Sequence, residues 1–124
     1  MTDATSTTAP YRLVSALVDD TIAYDAEGKK LGSVYSFHID RRTGRVEYAV
    51  LSFGGFLGIG QSYHPVPFAA LAVDEAQGGY RVNLPKAVLD GGPSYRPDSA
   101  PKWDAAYAER ISKYFGMPSA SGTY

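Results

Sequence analysis

The sequence contains no cysteine among its 124 residues. This absence excludes disulfide bonds, thiolate catalysis and thiolate ligation of a metal ion. A protein without disulfides suits a reducing compartment, so we expect a cytoplasmic location. No apolar run approaches the roughly 20 residues that a membrane-spanning helix needs, and the N-terminus lacks the basic and apolar regions of a signal peptide. We therefore expect neither a transmembrane segment nor a signal peptide.

Excess charge and catalytic motifs are also missing. The formal net charge is −1, so no global field draws the chain to nucleic acid or to anionic lipid. The two histidines, His38 and His64, lie in separate strand-like runs and show no metal-ligand spacing. No serine lies in a Gly-x-Ser-x-Gly elbow. We expect no enzyme activity, no metal and no cofactor. A small-ligand or metal-binding barrel with a polar pocket near His38 or His64 is kept as an alternative.

Short strand-like runs separated by turn signals make up most of the first two thirds of the chain. Six runs are predicted as strands: Thr21–Tyr24, Ser33–Asp40, Arg45–Phe53, Gln61–Val66, Ala72–Asp74 and Tyr80–Leu84. Their close spacing favours a mainly β fold, a small and strongly bent β-barrel, over βαβ units.

Three of these runs, and the segment that precedes them, carry more detailed predictions. The run Arg45–Phe53 is apolar on both faces, which predicts a central strand, and Pro65 predicts that Gln61–Val66 is an edge strand or is bulged. The segment Leu13–Val18 is predicted as an approach segment with one turn of helix. Simple alternation in Ser33–Asp40 predicts one face with Tyr35, Phe37 and Ile39 and another with Val34, Ser36 and His38.

The last third of the chain predicts a helix over about residues 103–115. Trp103, Tyr107, Ile111 and Phe115 recur every four residues, and Gly116 is a suitable end for the helix. We expect this apolar stripe to pack on the barrel or on a neighbouring copy. The predicted organisation is a flexible tail over 1–12, a barrel domain over 13–92, and a C-terminal extension over 93–124.

A glycine-rich loop separates two of the predicted strands. Gly54-Gly55-Phe56-Leu57-Gly58-Ile59-Gly60 has four glycines in seven positions, yet it does not match a phosphate-binding pattern. Its side chains Phe56, Leu57 and Ile59 are apolar, which a solvated loop would not favour. They either cap the barrel or form a surface for a partner, and both can hold if the partner is a second copy. These three residues are the candidate partner-binding site, and a homodimer is the predicted assembly.

A basic hairpin offers a second candidate surface. Arg41, Arg42 and Arg45 lie in one predicted turn, and Lys29 and Lys30 lie in another. These residues could contact RNA phosphates, and solvated turns are the simpler explanation. The net charge argues against nucleic acid as the main partner. An RNA- or ribosome-associated factor is the alternative function, and it would require the arginine hairpin to join a larger basic face.

An ordered series of motifs resembles the PRC-barrel family, the domain shared by the cytoplasmic part of the photosynthetic reaction-centre H subunit and a bacterial ribosome-maturation factor. The series covers roughly residues 15–90 and consists of Asp25-Ala26-Glu27-Gly28, Leu31-Gly32-Ser33-Val34, Ile39-Asp40, Thr43-Gly44-Arg45-Val46, Tyr48-Ala49-Val50, the glycine loop and Pro65-Val66-Pro67-Phe68. Pro93-Ser94-Tyr95, Trp103 and Tyr114-Phe115-Gly116 resemble the tail of stand-alone bacterial members. Asp19 departs from the family pattern, where a glycine is expected before the first strand.

The resemblance implies a strongly bent β-barrel that is used for assembly and has no activity intrinsic to the fold. Because a fold does not determine a function, this remains an expectation. The predicted function is a non-enzymatic protein-interaction or scaffold module whose protein partner the sequence does not name.

Overall fold

Strands dominate the computed structural model, which describes residues 13–18, 21–54 and 60–117. The elements in chain order are β1 (Leu13–Leu17), β2 (Ile22–Tyr24), β3 (Lys30–Asp40), β4 (Val46–Phe53), β5 (Ser62–Pro67), a 3₁₀ turn (Phe68–Ala70), β6 (Leu71–Val73), β7 (Tyr80–Val82), α1 (Lys86–Gly91) and α2 (Ala105–Phe115). The predicted tail over residues 1–12 lies outside the described residues.

The strands form one sheet that curls into a half-barrel. Its order is β5-β4-β3-β2-β7-β6, and β1 pairs with β3 outside this path. The long strand β3 has β4 along one edge, whereas β1 and β2 share its other edge. The pairing of β2 with β7 is parallel and the other ladders are antiparallel. The prediction of a mainly β, strongly bent barrel is confirmed, and β5 is an edge strand as Pro65 indicated.

The segment at residues 13–18 was expected to contain a turn of helix, and this prediction is wrong. Residues Leu13–Leu17 form strand β1, which pairs antiparallel with the second half of β3. A five-residue apolar run is too short for its hydrophobic periodicity to distinguish a strand from a helix. Its conformation is therefore determined by hydrogen bonding to β3.

A bulge in β3 overturns the simple alternation predicted for that strand. Val34 faces Leu51 on β4, whereas Ser36 faces Val50, so Tyr35 is an extra residue without a partner on β4. Such a bulge shifts the side-chain phase by one position. Val34 therefore shares a face with Phe37, and the prediction that grouped it with Ser36 and His38 is wrong.

Strand β4 is buried on both faces, as its apolar pattern predicted. Residues 47–52 are all buried. On its inner face, marked by Ala49 and Leu51, the curled sheet and α1 form the main core, which also contains Ala23, Val34, Val66, Ala70, Leu71, Val82 and Leu89. On its outer face, marked by Tyr48, helix α2 forms a second cluster with Ala108 and Ile111.

Helix α2 is held against the outer face by capping and by polar contacts. The Asp104 carboxylate accepts a hydrogen bond from the Tyr107 N–H and caps the helix. The helix begins at Ala105, two residues later than predicted. Gly116 ends the helix in a left-handed conformation with φ of 68°. The Tyr48 hydroxyl lies 3.1 Å from the Ala108 carbonyl oxygen, to which it donates. The expected packing of the helix therefore occurs on its own barrel.

His38 carries the other contact between the sheet and the segment that leads into α2. Its ring stacks on Trp103 with ring centroids 3.7 Å apart, and the residue is only 6% exposed. Its Nδ1 atom has no hydrogen-bond partner in the part of the chain that the structure describes. Burial lowers the pKa of His38 from 6.5 to about 4, because the charged ring loses its hydration. His38 is thus a neutral packing residue near pH 7.

A polar network joins the two turns at one end of the sheet. The Arg81 guanidinium donates to Asp74, with Nε 2.9 Å from Oδ2, and to the Ala26 carbonyl oxygen at 3.1 Å. The Gln77 amide donates to the Gly28 carbonyl oxygen at 3.2 Å. The hydrogen bond from Arg81 lowers the pKa of Asp74 to about 2. The turn before β3 is therefore tied to the turn between β6 and β7.

We expect Ile111→Ala to destabilise the protein, because Ile111 is fully buried between α2 and the sheet. The free energy of unfolding should fall by about 2–4 kcal/mol, the usual cost of a cavity at such a site. Urea denaturation measures this loss. Glu109→Ala, an exposed change on the same helix, should alter it by less than about 0.5 kcal/mol. Equal small effects of both changes would mean that α2 does not bury its stripe on the sheet.

The buried His38 predicts a loss of stability in mild acid. Because its folded pKa of about 4 lies below the ordinary 6.5, the unfolded chain binds more protons between these two pH values. The free energy of unfolding should be highest above pH 6.5 and fall by up to about 3 kcal/mol as the pH drops through this window. Thermal unfolding across pH measures it. His38→Phe keeps a ring against Trp103 and should flatten the slope, leaving the smaller part from His64. An unchanged slope would contradict this role.

Candidate functional site

The predicted partner-binding residues Phe56, Leu57 and Ile59 lie outside the described residues, which resume at Gly60. The stems of their loop are described. Gly54 and Gly60 both have a positive φ, 73° and 77°. A Cβ atom on Gly54 would lie 2.9 Å from the Gly60 carbonyl oxygen, so the two stems approach closely. Glycine is required at Gly54 both for this approach and for its backbone conformation.

An open groove lies beside these stems. It has a volume of about 430 Å³ and is lined by Val18, Thr21, Ile22, Lys30, Ser33, Val34, Tyr35, Ser52 and Gln61. The Gln61 amide donates to the Ser52 hydroxyl at 2.7 Å, so the floor next to the loop is fixed. Among the lining residues that the structure describes, Lys30 is the one with a formal charge.

Two exposed apolar residues form what we call the apolar rim: Tyr35, which lines the groove, and Leu17, which precedes the lining residue Val18. Leu17 is 71% exposed and Tyr35 is 37% exposed. The Tyr35 ring stacks on Tyr63 at 4.4 Å, and Tyr63 makes an edge contact with Tyr95 at 5.4 Å. The Val18 N–H donates to the Tyr35 carbonyl oxygen at 3.0 Å, which joins the two parts of the rim. A stacked aromatic ring beside an exposed leucine side chain is typical of a protein-contact surface.

The arginine hairpin is ordered by its own backbone and by a buried carboxylate. Asp40 is 1% exposed, accepts from the Arg42 N–H at 2.8 Å, and lies 3.4 Å from the Arg42 guanidinium. Arg41, Arg42 and Arg45 are exposed. Part of the charge of Arg42 is therefore offset by Asp40.

The second basic turn lies far from the arginine hairpin. Lys30 begins β3, and Asp40, next to Arg41, ends it. The two turns are separated by about 30 Å of strand. The lysine turn and the arginine hairpin therefore do not form one basic face, and the structure adds nothing to the RNA alternative.

The two histidines lie on opposite faces of the sheet. His38 pairs with Tyr48 on the outer face, whereas His64 pairs with Leu51 on the inner face. Their side chains therefore point away from each other and are not placed to bind one metal ion. Within residues 13–18, 21–54 and 60–117, no group of three histidine, aspartate or glutamate side chains is placed to hold a metal.

His64 links β5 to α1. Its Nδ1 lies 3.2 Å from the Leu89 carbonyl oxygen and donates to it, so Nε2 accepts from the Ser62 hydroxyl at 2.9 Å. Burial lowers the pKa of His64, so the neutral form of the ring makes both contacts. Like His38, this residue serves the packing of the fold.

The apolar rim was missed by the reasoning from sequence. Leu17 was overlooked because its segment was not recognised as a strand. Tyr35 was placed on the face of Phe37 because the bulge at that point leaves no clear mark in the sequence. The sequence signal that could have identified β1 is the run Leu13–Leu17, which has no charge, proline or glycine and is compatible with a strand.

Helices of the described part are too short or too polar to cross a membrane.

No curated protein is similar enough to this chain to count as a relative. The family model for the PRC-barrel domain matches residues 16–89, from β1 to α1, which is more than half of the chain. Helix α2, which covers the outer face, lies beyond the match. The chain belongs to the PRC-barrel domain family.

Proposed function

We propose that this protein is a non-enzymatic interaction and assembly module of the PRC-barrel type. The observation that carries the proposal is the apolar rim beside the groove. Leu17 is 71% exposed and Tyr35 is 37% exposed, and Tyr35 lines the groove. Apolar surface of this kind is stabilised when a partner removes it from water.

The buried titratable groups support a structural role over a catalytic one. His38 stacks on Trp103, His64 bonds to Ser62 and Leu89, and Asp74 is bound by Arg81. Each of these groups already has a packing or hydrogen-bonding duty in the fold. If one of these groups transferred a proton to or from a substrate, it would have to give up a contact that positions α1, α2 or the turns.

The preferred partner in this proposal is a second copy of the chain, and the alternative is a different cytoplasmic protein. We include the loop residues Phe56, Leu57 and Ile59 in the proposed surface, because Gly60, at the end of their loop, directly precedes Gln61 of the groove. A small domain buries a limited fraction of its apolar surface, and a two-fold interface lets one patch serve both subunits.

We expect a dimer in light scattering, and we expect Phe56→Asp with Leu57→Asp to shift it toward monomer. Two buried carboxylates without partners would cost more than the apolar contacts contribute. The matched control is Ala72→Asp with Val73→Asp, two exposed residues of β6, which should leave the dimer intact. A wild-type chain that stays monomeric at high concentration would show that self-association is wrong and leave a different protein as the partner.

A further inference from the structure

We infer that strand β1 is an intermolecular edge, and that it pairs antiparallel with β1 of a second copy around a two-fold axis at Ser15. This inference rests on the self-association proposed above and names its contact. The two sheets would join into one continuous sheet through main-chain hydrogen bonds.

The hydrogen-bonding direction of β1 is fixed by two observed bonds. The Val18 N–H donates to Tyr35 on β3 at 3.0 Å, and the Asp40 N–H donates to Arg45 on the β4 side at 2.8 Å. Because main-chain groups alternate along a strand, Val14 and Ala16 also direct their main-chain groups to β3. Leu13, Ser15 and Leu17 therefore direct theirs to the outer edge, where no other described strand pairs with β1.

Strand β5 shows how this fold protects an edge. The Tyr63 N–H donates to the Tyr95 carbonyl oxygen at 2.8 Å, and the Tyr95 N–H returns the bond at 2.9 Å. Pro65 and Pro67 occupy the next outward positions and have no N–H to offer. The outer edge of β5 is thus blocked along its length.

Strand β1 carries none of these protections within the described residues. Its sequence Leu-Val-Ser-Ala-Leu has no charge, no proline and no glycine. Ser15 and Leu17 share the outer face with His38 and Ser36, and Ala16 lies on the inner face with Phe37. Ser15, Ala16 and Leu17 are all exposed, so neither face of the strand is covered at these three positions. An uncharged edge that is open on both faces is a template for another strand.

A second copy can pair with this edge because the outward residues Leu13, Ser15 and Leu17 are uncharged, so no like charges face each other in the antiparallel register. With Ser15 opposite Ser15 of the partner, Leu13 falls opposite Leu17, so every outward position meets an outward position. This register provides about six main-chain hydrogen bonds, two for each facing pair. A small, uncharged residue lies at the axis, and antiparallel pairing keeps the two arginine hairpins at opposite ends. The neighbouring rim residue Leu17 is covered in the same step.

The natural absence of cysteine makes Ser15→Cys a direct test, because a single thiol per chain can form only an intermolecular disulfide. Facing Cα atoms in such a pair lie about 5.5 Å apart, within the range of a disulfide. We expect a cross-linked dimer on mild oxidation. The control Ala16→Cys is also exposed but faces the opposite side of the sheet, and it should cross-link about ten-fold more slowly.

Hydrogen exchange on the wild-type chain gives a second readout that needs no variant. The outward amides of Ser15 and Leu17 should be protected at high protein concentration and lose protection on dilution, whereas the amide of Ala16 should not change. Equal cross-linking of both cysteine variants, with exchange independent of concentration, would overturn the inference. If light scattering still shows a dimer in that case, the proposed self-association stands and only its placement at β1 is wrong. A monomeric wild type would overturn both.

Discussion

Burial of β4 on both faces is the constraint on which the rest of the structure depends. A strand with residues 47–52 all buried needs a cover on each side. The curl of the sheet supplies one cover, because it brings β2, β7 and α1 over Ala49 and Leu51. Helix α2 supplies the other over Tyr48. The family match ends at residue 89, so the outer cover comes from the C-terminal extension. This extension also decides which part of the outer face stays open.

Polar side chains in and around the core fix the positions of neighbouring elements, because each binds a specific partner. Tyr48 bonds to the backbone of α2, His64 to the backbone of α1, and Arg81 ties two turns together. An unpaired buried polar group costs more than a paired one contributes, so these contacts fix the orientation of the helices more than they add stability. The same burial keeps both histidines neutral near pH 7 and makes them sensitive to acid.

The sequence was informative where one residue type carries a strong local preference. The two-sided apolar pattern of β4, the proline-marked edge at β5 and the stripe that ends at Gly116 were all confirmed. The sequence was uninformative where the conformation of a segment depends on which strand it pairs with. The bulge at Tyr35 depends on the register with β4, and β1 forms because β3 is long enough to pair with both β1 and β2. Side-chain alternation alone predicts neither feature.

The candidate surface was only partly accessible to sequence for the same reason. The glycine loop stood out by composition, whereas Leu17 and Tyr35 become a surface only after the bulge and the β1 ladder are known. The edges then show a contrast that composition hides. One end of the sheet has Pro65, Pro67 and Tyr95 to prevent pairing, while β1 has an uncharged open edge. Unprotected edges are templates for pairing with another chain, so the open edge of β1 supports the proposed pairing with a second copy.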